Sequence, residues 1–379
     1  MYLALYRKYR PATFEEVIGQ DHVVKTLVNQ IKTDKISHAY LFTGSRGTGK
    51  TSVAKIFARA VNCTNSKNGS PCGKCDACKA LEGTSLDVLE IDAASNNGVD
   101  EIRDLREKVK YPPVVGKYKV YIIDEVHMLT INAFNALLKT LEEPPSHTIF
   151  ILATTEVHKL PATILSRCIR FDFKLVSLEE LTKHLKAVLD KEGIKYEETA
   201  VNVIARAGEG SVRDMLSLAD RCVSFAGENL TYEKVVEVLG VTKIDSLVQM
   251  ADNILDKKIG DALVQIDEII ASGTRPLVFA NDLIAYFRDL LLVNTLGEKA
   301  KEIVVVKDDV FAKMKKQAIQ EHYAEIIGAI ENLSEVEQEL RYSAKPRIVL
   351  ETAIIKTITK TSLIRKVEDL ENKIKNFPS

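Results

Sequence analysis

Residues 44–51 read Gly44-Ser45-Arg46-Gly47-Thr48-Gly49-Lys50-Thr51. They fit the pattern G-x-x-x-x-G-K-[ST], a loop that cradles phosphate groups. The apolar run Tyr40-Leu41-Phe42 precedes the loop, and a helical pattern of Val53, Ala54, Phe57, Ala58 and Val61 follows it. Strand, loop and helix are the context this motif needs, and they argue against a chance glycine-rich turn. Glycines at 44, 47 and 49 permit backbone conformations that turn successive N–H groups toward phosphate oxygens. Lys50 then reaches the outer phosphates, and the Thr51 hydroxyl can bind Mg2+.

Further strand-like runs follow at Val88-Leu89-Glu90-Ile91, Val120-Tyr121-Ile122-Ile123, Ile149-Phe150-Ile151-Leu152 and Ile169-Arg170-Phe171. Helical patterns lie between them, over Gly98 to Lys110 and Ile131 to Glu142, stopped by Pro112-Pro113 and Pro144-Pro145. Upstream, Val24, Leu27, Val28 and Ile31 are spaced as a helix, with Asp21 as its N-cap. Strands alternating with helices predict a parallel sheet covered on both faces, and the first domain is expected at residues 1–175.

After Phe173 the strand signal disappears. Leu178, Leu181, Leu185, Val188 and Leu189 make one helix closed by Gly193, and Val201, Ile204 and Ala205 suggest another. Ser211 caps a third helix, and Thr231 caps a fourth ending at Gly240. A small helical domain is expected at 176–241. From Lys243 to about Lys360 only helical periodicity remains, including the apolar stretch Leu277 to Leu296, so 242–379 is expected to be all-helical. Its wide apolar faces suit intrachain packing or subunit contacts alike. The 4-3-4 spacing of Leu363, Val367, Leu370 and Ile374 is too short for a coiled coil.

Val120 to Ile123 runs into Asp124-Glu125, placing two carboxylates at the end of an apolar strand. At the site-bearing edge of a parallel sheet, Asp124 can support Mg2+ while Glu125 orients and polarises a water. Asp124 to His127 also fits some helicases, and His127 reads as a structural neighbour. The strand Ile149 to Thr154 ends in Thr154-Thr155, so a hydroxyl reaches the same edge. Arg167 in Leu165-Ser166-Arg167-Cys168 and Arg213 in Gly210-Ser211-Val212-Arg213-Asp214 are, by periodicity alone, surface ion-pair residues.

Cys63, Cys72, Cys75 and Cys78 form C-x8-C-x2-C-x2-C. Pairs at this spacing let thiolates converge on one ion, and four complete the tetrahedral shell of structural Zn2+. An iron–sulfur cluster is the runner-up, although no Cys-Pro follows Cys78. Four cysteine ligands leave no open catalytic position. Cys168 and Cys222 read as buried small hydrophobes.

The 379 residues suffice for two or three domains, 46% hydrophobic and 28% charged, with a net charge of -1. Any nucleic-acid contact must therefore come from a local patch. No apolar run approaches a membrane span and Met1 to Arg10 lacks a secretory core, so cytoplasmic residence is expected.

Together these pieces resemble the AAA+ ATPase family of bacterial replicative clamp loaders, the gamma/tau motor subunits of DNA polymerase III. The matching pieces run in order: Tyr9-Arg10-Pro11-x-x-Phe14 with Gly19-Gln20, the phosphate loop, the four-cysteine insert, Asp124-Glu125-Val126-His127, Ala153-Thr154-Thr155, Ser166-Arg167-Cys168 and Gly210 to Asp214. They cover the first two domains, and the helical remainder agrees in character. The resemblance implies an α/β P-loop AAA+ domain with a parallel sheet and a zinc module at 63–78, then a helical lid and an all-helical collar.

It also implies roles for individual residues. Arg10, Pro11, Val17 and Ile18 would line the adenine and ribose pocket, and Gly44 to Thr51 with Asp124 would hold ATP and Mg2+. Glu125 would be the catalytic base, Thr155 sensor 1, Arg167 a finger acting in a neighbour's site, and Arg213 the cis sensor 2. The implied partners are delta and delta-prime subunits, further copies of the chain, the sliding clamp and primer-template DNA, with no membrane. ATP binding would open the clamp, and primed DNA would trigger hydrolysis and release. Arg103, Arg106, Lys110 and Lys139 are candidates for tracking DNA phosphates. The longer family form carries C-terminal domains for helicase and polymerase contacts, which are not expected of a sequence ending at Ser379. Competing readings are a helicase-like remodelling ATPase and a non-hydrolysing scaffold subunit; the intact Lys50, Thr51, Asp124 and Glu125 oppose the scaffold.

Overall fold

The computed structural model describes residues 3–81, 85–304 and 306–359. Leu363, Val367, Leu370 and Ile374 lie outside them. The chain divides into two compact units, Met1–Val235 and Val236–Ser379.

The first unit begins with α1 (Leu5–Lys8), α2 (Asp21–Lys32), β1 (Ala39–Gly44), α3 (Lys50–Asn62) and α4 (Asp76–Ala80). It continues through β2 (Val88–Asp92), α5 (Val99–Val109), β3 (Lys119–Asp124), α6 (Ile131–Glu142), β4 (Thr148–Thr154), α7 (Ala162–Leu165) and β5 (Ile169–Phe173). The five strands form one parallel sheet in the order β2-β3-β4-β1-β5, as the alternation predicts. Continuous apolar strands mark a sheet buried on both faces, and Val120, Tyr121, Ile122 and Ile123 are fully buried. Successive side chains point to opposite faces. Tyr40, Phe42, Val120 and Ile122 therefore pack with Leu27, Val53 and Phe57 of α2 and α3, while Leu41, Tyr121 and Ile123 pack with Ile102, Leu105, Phe134 and Leu137 of α5 and α6.

The register pairs Thr43 with Thr154, Gly44 with Phe173 and Asp92 with Asp124. The ends of these strands thus bring the phosphate loop, Asp124 and Thr154 to one edge of the sheet.

Asp21 is not the N-cap of α2. Gln20 is: its carbonyl accepts from the Val23 and Val24 amides, and Asp21 is the first helical residue. The Gln20 side chain is occupied elsewhere, donating to Lys174 O at 2.7 Å and Thr48 O at 3.4 Å and accepting from Lys174 N.

The lid comprises α8 (Leu178–Glu192), β6 (Lys195–Tyr196), α9 (Glu198–Ala207), α10 (Val212–Ala226) and β7 (Asn229–Leu230), followed by α11 (Tyr232–Leu239). Ser177 and Glu180 form a reciprocal capping box on α8, and Gly193 ends it at φ +70°. Ser211 Oγ accepts from the Asp214 amide at the start of α10. The parallel pair β6·β7 departs from the expected absence of strands. Each strand contributes two residues, too few to leave an alternating pattern.

In the second unit, the described residues of the helical region form α12 (Ile244–Leu255), α13 (Ile259–Ala271), α14 (Pro276–Leu296), α15 (Asp308–Gln317), α16 (Tyr323–Glu335), α17 (Glu337–Tyr342) and a helix over 346–359. Their core centres on Phe279, Leu283, Phe287 and Leu290 of α14. Pro276 occupies the first turn of α14, where its missing N–H costs nothing. Among the described residues no helix is long and apolar enough to cross a membrane.

Candidate nucleotide site and metal centre

The loop after β1 opens onto a cavity of about 1180 Å³. Gly47 and Gly49 lie at φ +74° and +102°, in the left-handed region that favours glycine. A Cβ at Gly47 would fall 1.9 Å from Ser211 Oγ, so the loop passes against the start of α10. The Thr48 hydroxyl closes the turn on Ser45 O at 2.8 Å. Lys50 is 5% exposed and donates to Gly44 O and Ser45 O, both at 2.8 Å. Burial pulls its pKa below the ordinary lysine value, against the Glu125 and Asp124 carboxylates, which push it up. An anion entering the loop would restore what burial removes from the ammonium.

Thr51 Oγ1 donates to Asp124 Oδ2 at 2.6 Å, joining the start of α3 to the end of β3. A hydroxyl and a carboxylate in contact beside a phosphate loop suit a Mg2+ ion, which takes few protein oxygens and several from phosphate and water. Glu125 follows at φ +47°. Thr155 Oγ1 donates to Glu125 Oε2 at 3.2 Å.

Arg10, Pro11, Val17 and Ile18 line the cavity, as do Arg46 to Thr51, Asp124, Glu125 and Arg213. Arg10 Nε donates to Ser52 Oγ at 3.1 Å. The exposed Arg213 guanidinium lies 5.4 Å from the centre of the Tyr6 ring. Gly44, Ser45 and Thr155 meet the site through the bonds above without lining the cavity. Arg167 is not brought to it: its guanidinium bonds Glu142 and Thr163 O, each at 2.7 Å. Arg103 on α5 and Lys110 just after it are exposed, in ion pairs with Asp100 and Glu107. Lys139 is exposed on α6, and Arg106 is half-buried.

Further residues also line the cavity. Tyr6 and Arg7 come from α1, which packs on α10. His184 comes from α8; burial lowers its pKa, and among the described residues its Nε2 has no hydrogen-bond partner. No motif marks His184, because its place depends on the lid folding back over the loop.

The four cysteines Cys63, Cys72, Cys75 and Cys78 converge, with all sulfur atoms within 4.8 Å of one another. The Cys63–Cys75 and Cys72–Cys78 separations are both 3.9 Å. Tetrahedral zinc–sulfur bonds of about 2.3 Å require sulfurs about 3.8 Å apart, so the donor set fits. Backbone amides of Cys72, Lys74, Cys75 and Cys78 point at the sulfurs. The Cys78 amide pulls Cys75 down to about 5, whereas burial pushes Cys78 up. None of the four lines the cavity. Of the two remaining cysteines, Cys222 is buried and Cys168 half-buried, and burial pushes both up to about 11.

The chain matches three family models: "DNA polymerase III, delta subunit" over 19–177, "DNA polymerase III clamp loader subunit, ATPase lid domain" over 180–228, and "DNA polymerase III subunits gamma and tau domain III" over 230–372. DNA polymerase III subunit tau of Bacillus subtilis is 46% identical, across 99% of this chain and 69% of that protein. Subunit gamma of Buchnera aphidicola is 35% identical, across 94% of this chain and 99% of that protein. The gamma/tau subunit of Mycobacterium tuberculosis is 38% identical, and the chain spans 66% of its length. Among solved structures, the Thermotoga maritima RuvB Holliday junction branch migration motor is 20% identical, with TM-score 0.48 over 65% of this chain and 79% of that one. From its sequence relatives, the chain belongs to the gamma/tau subunits of bacterial DNA polymerase III, AAA+ ATPases of the replicative clamp loader.

Proposed function

We propose that this chain is the motor that binds MgATP to open a ring-shaped sliding clamp and hydrolyses it to release the clamp on primed DNA. The observation carrying this reading is the closed set of loop, Lys50, Thr51, Asp124 and Glu125, joined by the 2.6 Å bond from Thr51 to Asp124. Lys50 and the loop amides of Gly44 to Thr51 hold the phosphates, while Thr51 and Asp124 hold Mg2+. Glu125 polarises the attacking water and Thr155 orients it. Arg10, Pro11, Val17 and Ile18 form the wall for adenine and ribose, and Arg213 leaves Tyr6 to meet phosphate in cis. Arg167 completes a neighbour's site, an effect of about 10^3 to 10^5 in rate where such fingers have been measured.

The working division is an AAA+ domain at 1–175, a lid at 176–241 and a collar at 242–379. The cysteine module holds structural Zn2+, with no step in turnover. The partners in this reading are delta and delta-prime subunits, further copies of this chain, the clamp and primer-template DNA, all in the cytoplasm. Arg103, Arg106, Lys110 and Lys139 meet DNA phosphates. The ion pairs of Arg103 and Lys110 are exposed, so exchanging them for phosphate costs little. Arg103→Glu should then lower DNA stimulation and its salt dependence. The motor assignment is tested with Lys50→Ala in the complete complex: ATP hydrolysis and clamp loading should be lost. Wild-type rates would refute it.

A further inference from the structure

Three consecutive residues at the end of β4 engage the turn that follows β3. Thr155 Oγ1 donates to Glu125 Oε2 at 3.2 Å. Thr154 Oγ1 lies 3.0 Å from His127 Nδ1, and Glu156 Oε2 lies 3.0 Å from His127 Nε2. The His127 side chain is only 7% exposed, while its Glu156 partner is 35% exposed, so the ring end of these contacts is the shielded one. A single proton arrangement serves them all. The Thr154 hydroxyl donates to Nδ1, Nε2–H donates to Glu156, and Thr154 Oγ1 accepts from the Glu156 amide at 3.0 Å. Lys159 completes the row, 2.8 Å from Glu156 Oε2.

With both nitrogens engaged, the imidazole cannot turn; its Nδ1 edge, which in this arrangement carries no proton for Glu125, stands 3.5 Å from Glu125 Oε2 as a wall that keeps the carboxylate on the Thr155 side. The Glu125 carboxylate therefore has a hydroxyl donor and a fixed ring edge against the same oxygen. Its backbone is also fixed, at φ +47° before the 3-10 turn Val126–Met128. A water-polarising carboxylate works only within a narrow range of positions, and a displacement of about 1 Å can cost about 10²-fold in rate.

We propose that His127 is a positioning residue for ATP hydrolysis, holding the Glu125 carboxylate beside Thr155 and itself held by Thr154 and Glu156. The role rests on Glu125 as the group that polarises water. His127 is not among the residues lining the cavity; it acts through Glu125, and Glu156 acts through His127. Substitutions at either residue must then lower turnover without changing how ATP is bound.

The test measures steady-state hydrolysis by the assembled complex with clamp and primed DNA, together with the affinity for a non-hydrolysable ATP analogue. For His127→Ala, kcat should fall about 10-fold or more, while KM and analogue affinity stay within about 2-fold. His127→Gln, which returns an N–H toward Glu156, should recover part of the loss. Glu156→Ala should reproduce it, and Glu156→Gln, whose amide oxygen still accepts, should lose less. Should His127→Ala fail to fold, the Glu156 pair decides. Glu125→Gln separates the two ideas. If it hydrolyses ATP normally, the assignment of Glu125 is wrong. If it is inactive while His127→Ala and Glu156→Ala keep wild-type kcat, or lose affinity in proportion to rate, the positioning role is overturned.

Discussion

Replacing Gly47 by alanine should break two things at once, and a double-mutant cycle can separate them. The residue sits at φ +74°, where an L side chain costs about 1–2 kcal/mol. Its new Cβ would also fall 1.9 Å from Ser211 Oγ and 3.1 Å from Ser211 Cβ, so the serine hydroxyl must rotate away. That hydroxyl caps α10, accepting from the Asp214 amide at 3.1 Å. Losing such a cap costs about 1 kcal/mol. Gly47→Ala should therefore destabilise the first unit by about 2–3 kcal/mol, and Ser211→Ala by about 1 kcal/mol. With the hydroxyl already removed, the two changes together should still cost only about 2–3 kcal/mol, a coupling of about 1 kcal/mol. Gly49→Ala is the control: at φ +102° with no atom of the described residues within 4 Å of its Cβ, it carries strain alone and should add to Ser211→Ala. Urea unfolding followed by circular dichroism reads all five variants. Strict additivity of Gly47→Ala with Ser211→Ala would refute the claim that the phosphate loop bears directly on the lid cap.

Asp87 is 2% exposed and accepts from the amides of Val114, Val115 and Gly116 at 2.7, 2.7 and 2.9 Å. Burial pushes its pKa up, but the three amides and Lys119 overrule it and leave the value below normal. Asp87→Asn should cost about 2–3 kcal/mol at pH 7. A lowered folded pKa means that the stabilisation is complete above the unfolded value of about 3.9 and is lost as pH falls through the folded one. Unfolding curves of the two proteins should therefore converge in acid, and a pH-independent gap would contradict this. Elemental analysis should find about one zinc per chain. Cys63→Ser should lose the metal and lower the melting temperature while leaving ATP affinity intact, since no cysteine lines the cavity. Arg167→Ala should slow hydrolysis in the assembled complex while each altered subunit still binds ATP. Equal slowing in an isolated chain would place Arg167 in its own site.

Residues that act through local backbone geometry were legible early. The loop glycines, the strand runs and the x2-spaced cysteines each encode a nearby shape, and all three lie where the pattern puts them. Asp124 was readable for a related reason: an apolar strand covered on both faces must end at the sheet edge, so the carboxylate after Ile123 had one place to go. What stayed hidden depended on distant segments meeting. Tyr6 under Arg213 joins α1 to α10, and His184 reaches the cavity only because α8 folds over it. His127 read as a neighbour because its partners, Thr154 and Glu156, come from another strand. Asp21 was misplaced as a cap because a glutamine carbonyl serves that position without any side-chain signature. The strands β6 and β7, two residues each, carry no period for a sequence to show.

The central claim is that the loop around Lys50 is half of a site that other subunits and DNA complete. ATP hydrolysis by this chain alone, compared with the chain assembled with its partner subunits, clamp and primed DNA, tests it most directly. Slow turnover alone and strong stimulation on assembly is the predicted result. The same rate in both states would contradict the account.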